Sequence, residues 1–235
     1  MHIPFWLGLA CLAPLILPQA LHTRRTTLRL PEGHGAPEGQ WGDGSPSQRL
    51  LVIGESTAAS VGVEHHHDGL ASQLARQRHL REGKTVHWQT IGVNGIRMGS
   101  LLDKLAVAQP LIRADSIFIS MGVNDTTSLT PRKRYFLELE RLIAQLQATQ
   151  PQAHIYLLAV PPMHRFTALP SPLRQLLGWR ARLLNQQHQR LAKGHSNVSS
   201  LRYPPLNNPE LLAKDGYHPG AQGYRAMAEA VVQQL

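Results

Sequence analysis

The sequence carries a single cysteine, Cys11, among its 235 residues. That excludes an intramolecular disulfide and any metal site built from several thiolates. Aromatic residues are scarce, at 6%, and lack the strand-spaced pattern that stacks bases, so no nucleic-acid partner is expected. Acidic residues are few as well: 15 Asp and Glu against 24 Lys and Arg leave a formal net charge of +9. An anionic membrane surface fits that balance at least as well as nucleic acid does. With 17% charged and 42% hydrophobic residues, the composition is that of a folded chain. The length suits one domain with a sizeable core and is too short for two ordinary catalytic domains. No internal repeat is visible, and nothing specifies an oligomeric state.

One long hydrophobic run is present. It covers Ile3 to Leu21, is interrupted by Pro4, Pro14, Pro18 and Gln19, and is followed by His22, Arg24, Arg25 and Arg29. Its length is near the minimum for a spanning helix. A secretory signal fits poorly, because the basic residues follow the apolar run instead of preceding it. Residues 1–22 thus read either as an apolar arm, packed on the domain or lying in a membrane surface, or as a single span. In a span, the arginines would keep the domain on the cytoplasmic side of the membrane. The expected localisation is cytoplasmic or at that membrane face. Leu9-Ala10-Cys11 leaves an exported lipoprotein as the alternative, although Gly8 stands where a larger aliphatic residue is usual. Residues 23–48 are basic and then rich in Gly, Pro and small polar residues, which predicts a poorly ordered linker. The folded domain is expected over 49–235.

Within that domain, Leu50–Gly54 is a short apolar run ended by glycine, as in a buried strand entering a turn. Similar runs recur at Val86–Ile91, Ser116–Met121, Ile155–Val160 and Val198–Leu201. Helical patterns lie between and after them, at about Gly69–Leu80, Gly99–Ala108, Pro131–Thr149, Leu173–Ala192 and Ala221–Leu235. This alternation predicts a parallel sheet covered on both faces, with functional residues at the carboxyl ends of its strands. Pro131-Arg-Lys-Arg, unfavourable at a helix start, reads as a solvated patch or a contact with an anionic surface. His65-His66-His67 lacks metal-ligand spacing and reads as a loop near a site entrance.

The strand ends carry the chemistry. Ser56, in Gly54-Glu55-Ser56-Thr57, follows the first strand, where a turn can expose its hydroxyl and aim its N–H at a substrate. Alone it would read as a helix cap. Asp215-Gly-Tyr-His218-Pro places a carboxylate three residues before an imidazole on one loop, close enough to orient the ring. An oriented neutral imidazole can take the Ser56 proton as general base and return it to a leaving group. After the third strand, Gly122-Val-Asn124-Asp125 offers the Asn124 amide. After the second, Gly92-Val-Asn94-Gly95 offers the Gly95 N–H without side-chain obstruction. Together with the Ser56 N–H these give three candidate oxyanion donors.

These blocks, VIGEST, IGVNG, GVND and DGYHP, resemble those of the SGNH, or GDSL-type, hydrolase superfamily. They run in that family's order across residues 51–219. The resemblance implies a flavodoxin-like three-layer α/β/α fold with a parallel central sheet, and serine-dependent hydrolysis of an acyl ester without cofactor or metal. It implies Ser56 as nucleophile, His218 and Asp215 as the base pair, and Ser56, Gly95 and Asn124 as the oxyanion hole. Glu55 departs from the Asp of the family pattern, and Thr90 stands where asparagine is common. Gly99 is a second choice to Gly95.

Specificity rests on the loop Pro161–Pro170 after the fourth strand, where Met163, Phe166 and Leu169 would form an apolar wall for the acyl group. Ordinary packing against the next helix explains the same residues. Such a wall together with the apolar N-terminal segment favours lipid-like or simple carboxylic esters over sugar esters as small-molecule substrates. The alternatives are a carbohydrate deacetylase and a membrane-tethered binding module without turnover.

Overall fold

The computed structural model describes residues 2–107, 111–166, 168–203 and 208–235. The hydrophobic run folds as one helix, α1 (Ile3–Thr26), whose last turn carries Arg24 and Arg25. After β1 (Glu38–Trp41) and β2 (Gln48–Gly54) the chain alternates: α2 (Leu70–Glu82), β3 (Val86–Gly92), α3 (Met98–Val107), β4 (Ser116–Ser120), a short α4 (Val123–Thr127) and α5 (Arg132–Thr149). It closes with β5 (His154–Leu158), α6 (Leu173–Gly194), β6 (Val198–Leu201) and α7 (Ala221–Val232). Ala108 and Thr167, placed by the sequence in a helix and in the substrate loop, lie outside the described residues.

The six strands form one sheet in the order β1-β3-β2-β4-β5-β6. Only β1 runs antiparallel, paired to β3. The five parallel strands have the flavodoxin-like order, with the direction of winding reversing beside β2. The continuous apolar run of β2 follows from burial on both faces. Leu51 and Ile53 join the core beneath α3, α5 and α6, whereas Leu50 and Val52 join the one beneath α2 and α7. Alternate side chains of a strand point to opposite faces, so a sheet covered twice needs apolar residues at every position.

The poorly ordered linker expected over 23–48 is corrected. Its second half supplies β1, where Trp41 donates its indole N–H to Ser72 Oγ at 2.9 Å and stacks on His67 at 5.0 Å. The backbone N–H of His34 donates to Glu64 O, and that of His66 to His34 O. Gly and Pro punctuation marks irregular backbone; it does not say whether that backbone finds partners elsewhere in the fold. None of the three histidines of the triplet lines the cavity described below. His66 instead meets Ser60 Oγ at 3.0 Å. In the basic start of α5, Arg134 pairs with Glu138 one turn on.

Candidate active site

The carboxyl ends of β2, β3 and β4 converge on a cavity of about 480 Å³, within the range of small-molecule sites. Gly54 ends β2 where a Cβ would stand 2.1 Å from Ser120 O. Only glycine lets the chain turn there, beside β4, and present Ser56. Thr57 Oγ1 and Ser120 Oγ, 2.7 Å apart, tie the turn to β4, and Thr90 Oγ1 donates to Ala58 O at 2.6 Å. The threonine that departs from the family pattern thus braces the turn that carries Ser56.

Ser56, Gly95, Asn124, Asp215 and His218, from the segments after β2, β3 and β4 and the loop before α7, all line this cavity. His218 Nδ1 lies 2.6 Å from Asp215 Oδ2, and Asp215 Oδ1 accepts the N–H groups of Tyr217 and His218. Burial pushes the Asp215 carboxyl up, but these hydrogen bonds and the nearby imidazole outweigh it and hold the carboxyl below its ordinary range. The ionised carboxylate makes Nδ1 the donor nitrogen, which leaves the lone pair on Nε2. Among the described residues the Ser56 hydroxyl has no hydrogen-bond partner, and neither do the N–H groups of Ser56 and Gly95. Gly95 adopts φ +82°, the left-handed region that glycine enters without cost.

Asn124 lies where the sequence places it, but both amide hydrogens are engaged. Nδ2 donates to Glu55 Oε2 at 2.6 Å and to Ile96 O at 3.0 Å. Glu55 also accepts the N–H groups of Val123 at 2.7 Å and Asn124 at 3.0 Å, which caps α4 from a distant part of the chain. The same carboxylate therefore holds both the backbone and the amide of Asn124. Burial pushes the Glu55 carboxyl up to about 7, against the lowering effect of the Asn124 and Val123 N–H groups, with Asp125 adding to the rise.

This makes stability depend on pH. The folded state holds the Glu55 proton more tightly than the unfolded chain does, so its contribution is greatest below pH 4.5, falls as pH rises toward about 7, and then levels off. The total is about 3 kcal/mol. Glu55→Gln cannot ionise. Urea unfolding of both proteins at low and mildly alkaline pH should show the difference in stability moving in the variant's favour by that amount; an unchanged difference would refute the assignment.

Met163, Phe166 and Leu169 all line the cavity. Met163 and Leu169 are also buried in the core, and Phe166 meets the Tyr217 ring edge-on at 6.0 Å. The loop after β5 thus packs on the loop that carries His218, and Tyr217 OH donates to Ala168 O. Sequence reasoning missed a further wall: Thr23, Thr27, Leu28, Arg29 and Leu30, at and beyond the end of α1, line the same cavity. No local pattern marks them, since their position depends on how α1 packs.

Residues 52–226 match the GDSL-like lipase/acylhydrolase family. Among solved structures, the fold is similar to a psychrotrophic esterase from Pseudoalteromonas sp. inhibited by monoethylphosphonate, with 17% identity over 80% of this chain and 98% of that one, at a TM-score of 0.61. It is similar also to a family two carbohydrate esterase from Clostridium thermocellum in complex with cellohexaose, with 17% identity over 83% and 65% of the two chains and a TM-score of 0.62. A catalytic mutant of an acetylxylan esterase from Geobacillus stearothermophilus shares 17% identity over 80% and 94%, at a TM-score of 0.58. At such identities the likeness is one of fold. No curated protein gives a significant match.

Proposed function

Since the chain belongs to the GDSL-like lipase/acylhydrolase family and is a hydrolase, we propose that it cleaves carboxylic esters with apolar acyl groups through an acyl-serine intermediate on Ser56. The observation that carries this reading is the Asp215-oriented His218 ring sharing one cavity with Ser56 and an apolar wall. Ser56 Oγ attacks the ester carbonyl carbon while His218 Nε2 takes its proton, and Asp215 balances the charge on the ring. The free N–H groups of Ser56 and Gly95 receive the developing oxyanion. Asn124 joins them by turning one amide hydrogen away from Ile96 O. The intermediate collapses, the leaving alcohol takes the proton from His218, and the acyl group stays on Ser56. Water, deprotonated by His218, then attacks the acyl-enzyme and regenerates the serine. These groups and water account for every proton and electron pair.

Apolar acyl groups are favoured over acetylated sugars because Met163, Phe166 and Leu169 offer no hydrogen-bonding side chain to a sugar. An acyl-length and head-group panel tests the reading. Release of acid from acyl esters and a phosphonate adduct on Ser56 are expected, whereas preferential release of acetate from glycans would make the protein a carbohydrate deacetylase. Ligand binding without any turnover would make it a binding module. Phe166→Ala is expected to raise KM for long-chain esters roughly tenfold, the effect of losing one buried aromatic contact, with little change for acetyl esters. Equal effects on both would remove Phe166 from the acyl site.

A further inference from the structure

Helix α1 is apolar on two opposite faces, and among the described residues only one of them has a partner. Phe5 and Ile16 are buried in the core. Phe5 packs edge-on against Trp179 of α6, and the Arg180 guanidinium sits 5.4 Å from the Phe5 ring. Near the other end, Gln19 Nε2 donates to Ser171 O at 2.7 Å and Gln19 Oε1 accepts from Leu173 N at 3.2 Å. The opposite face presents Ile3, Leu7, Leu15, Leu17 and Leu21, each 55 to 62% exposed. A helix facing water on one side carries polar residues there. This one carries an isoleucine and four leucines instead.

We propose that α1 lies in the plane of an anionic lipid bilayer, with one face on the hydrolase domain and the other in the lipid, so that the cavity takes its acyl ester from the membrane. Charge supports an anionic surface. The first 31 residues contain no Asp or Glu, and Arg24, Arg25 and Arg29 are exposed just beyond the leucine row. Packing supports an in-plane helix over a spanning one. The anchors at Phe5 and Gln19 hold about 21 Å of helix against the domain. Threading that length through a bilayer would draw in α6, which carries Arg174, Arg182, Arg190 and Lys193. Leu28 joins the two regions: it is 53% exposed beside the arginines and lines the cavity that holds Ser56. An acyl chain leaving the lipid beside α1 therefore meets an apolar rim that leads to the nucleophile. The delivery of substrate, though not the docking, rests on the ester-hydrolase reading.

Cys11 provides the test, because the only cysteine of the chain is exposed on α1 near its middle. The full chain, spin-labelled at Cys11 and bound to vesicles of equimolar phosphatidylglycerol and phosphatidylcholine, should place the label about 5–10 Å below the headgroup boundary. A label near the bilayer centre, about 15 Å deep, would show a spanning helix and overturn the proposal; a label in water would overturn it as well. In parallel, Leu7→Glu/Leu15→Glu, both remote from the cavity, should lower turnover of a long-chain ester dissolved in the vesicles by at least about tenfold and leave a short soluble ester unaffected. Equal turnover of the vesicle ester by wild type and variant would overturn the proposal. So would light scattering that showed a dimer dissolved by these substitutions, since the leucine face would then belong to a second copy. Absence of turnover of the soluble ester by the wild type would overturn the hydrolase reading alone, because label depth does not depend on catalysis.

Discussion

Ser56→Ala is expected to lower kcat on a soluble acyl ester by a factor between about 10⁴ and 10⁶, with the fold intact. The Ser56 hydroxyl makes no hydrogen bond among the described residues, so its removal deletes the attacking atom without unpairing a neighbour. Thermal unfolding of the variant should coincide with that of the wild type, and its phosphonate adduct should vanish. His218→Ala should cost a similar factor, and the double variant little more than either single one, because nucleophile and base act as a unit. A double variant slower by the product of the two single effects would show that the residues act independently, against the acyl-serine cycle.

Asp215→Asn is expected to reduce kcat by roughly 10⁴, although the new side chain is nearly isosteric. The ionised Asp215 carboxylate accepts the Nδ1 proton at 2.6 Å and so places the lone pair of the ring on Nε2. An amide can turn its N–H toward Nδ1 and stabilise the opposite tautomer, with the proton on Nε2, which cannot accept from Ser56. The loss should fall on kcat more than on KM, because substrate does not touch residue 215 in this cycle. A loss under about tenfold would limit Asp215 to shaping its loop, where its other oxygen accepts the N–H groups of Tyr217 and His218.

The alternating sheet, the turn at Ser56 and the Asp215–His218 contact were legible in the sequence because local constraints impose them. A strand buried on both faces must be apolar at every position, as Leu50 to Ile53 are. A carboxylate three residues before an imidazole on one loop can reach it whatever the rest of the chain does. Glycine is required wherever backbones approach as closely as at Gly54 and Ser120. Long-range packing decided the rest. Glu55 departs from the family pattern by one methylene, yet only the fold brings its carboxylate onto Val123 and Asn124, which engages one hydrogen of the amide that the sequence offered to the oxyanion. Trp41 turned an expected linker into an edge strand by finding Ser72 and His67. The residues after α1 became a wall of the cavity because Phe5 and Gln19 fix where that helix ends. The sequence alone determined which residues could carry acyl transfer, since that information is local in the chain. Which donors stay free, and which surface the cavity opens toward, was decided by the tertiary structure, because both depend on contacts between residues far apart in sequence.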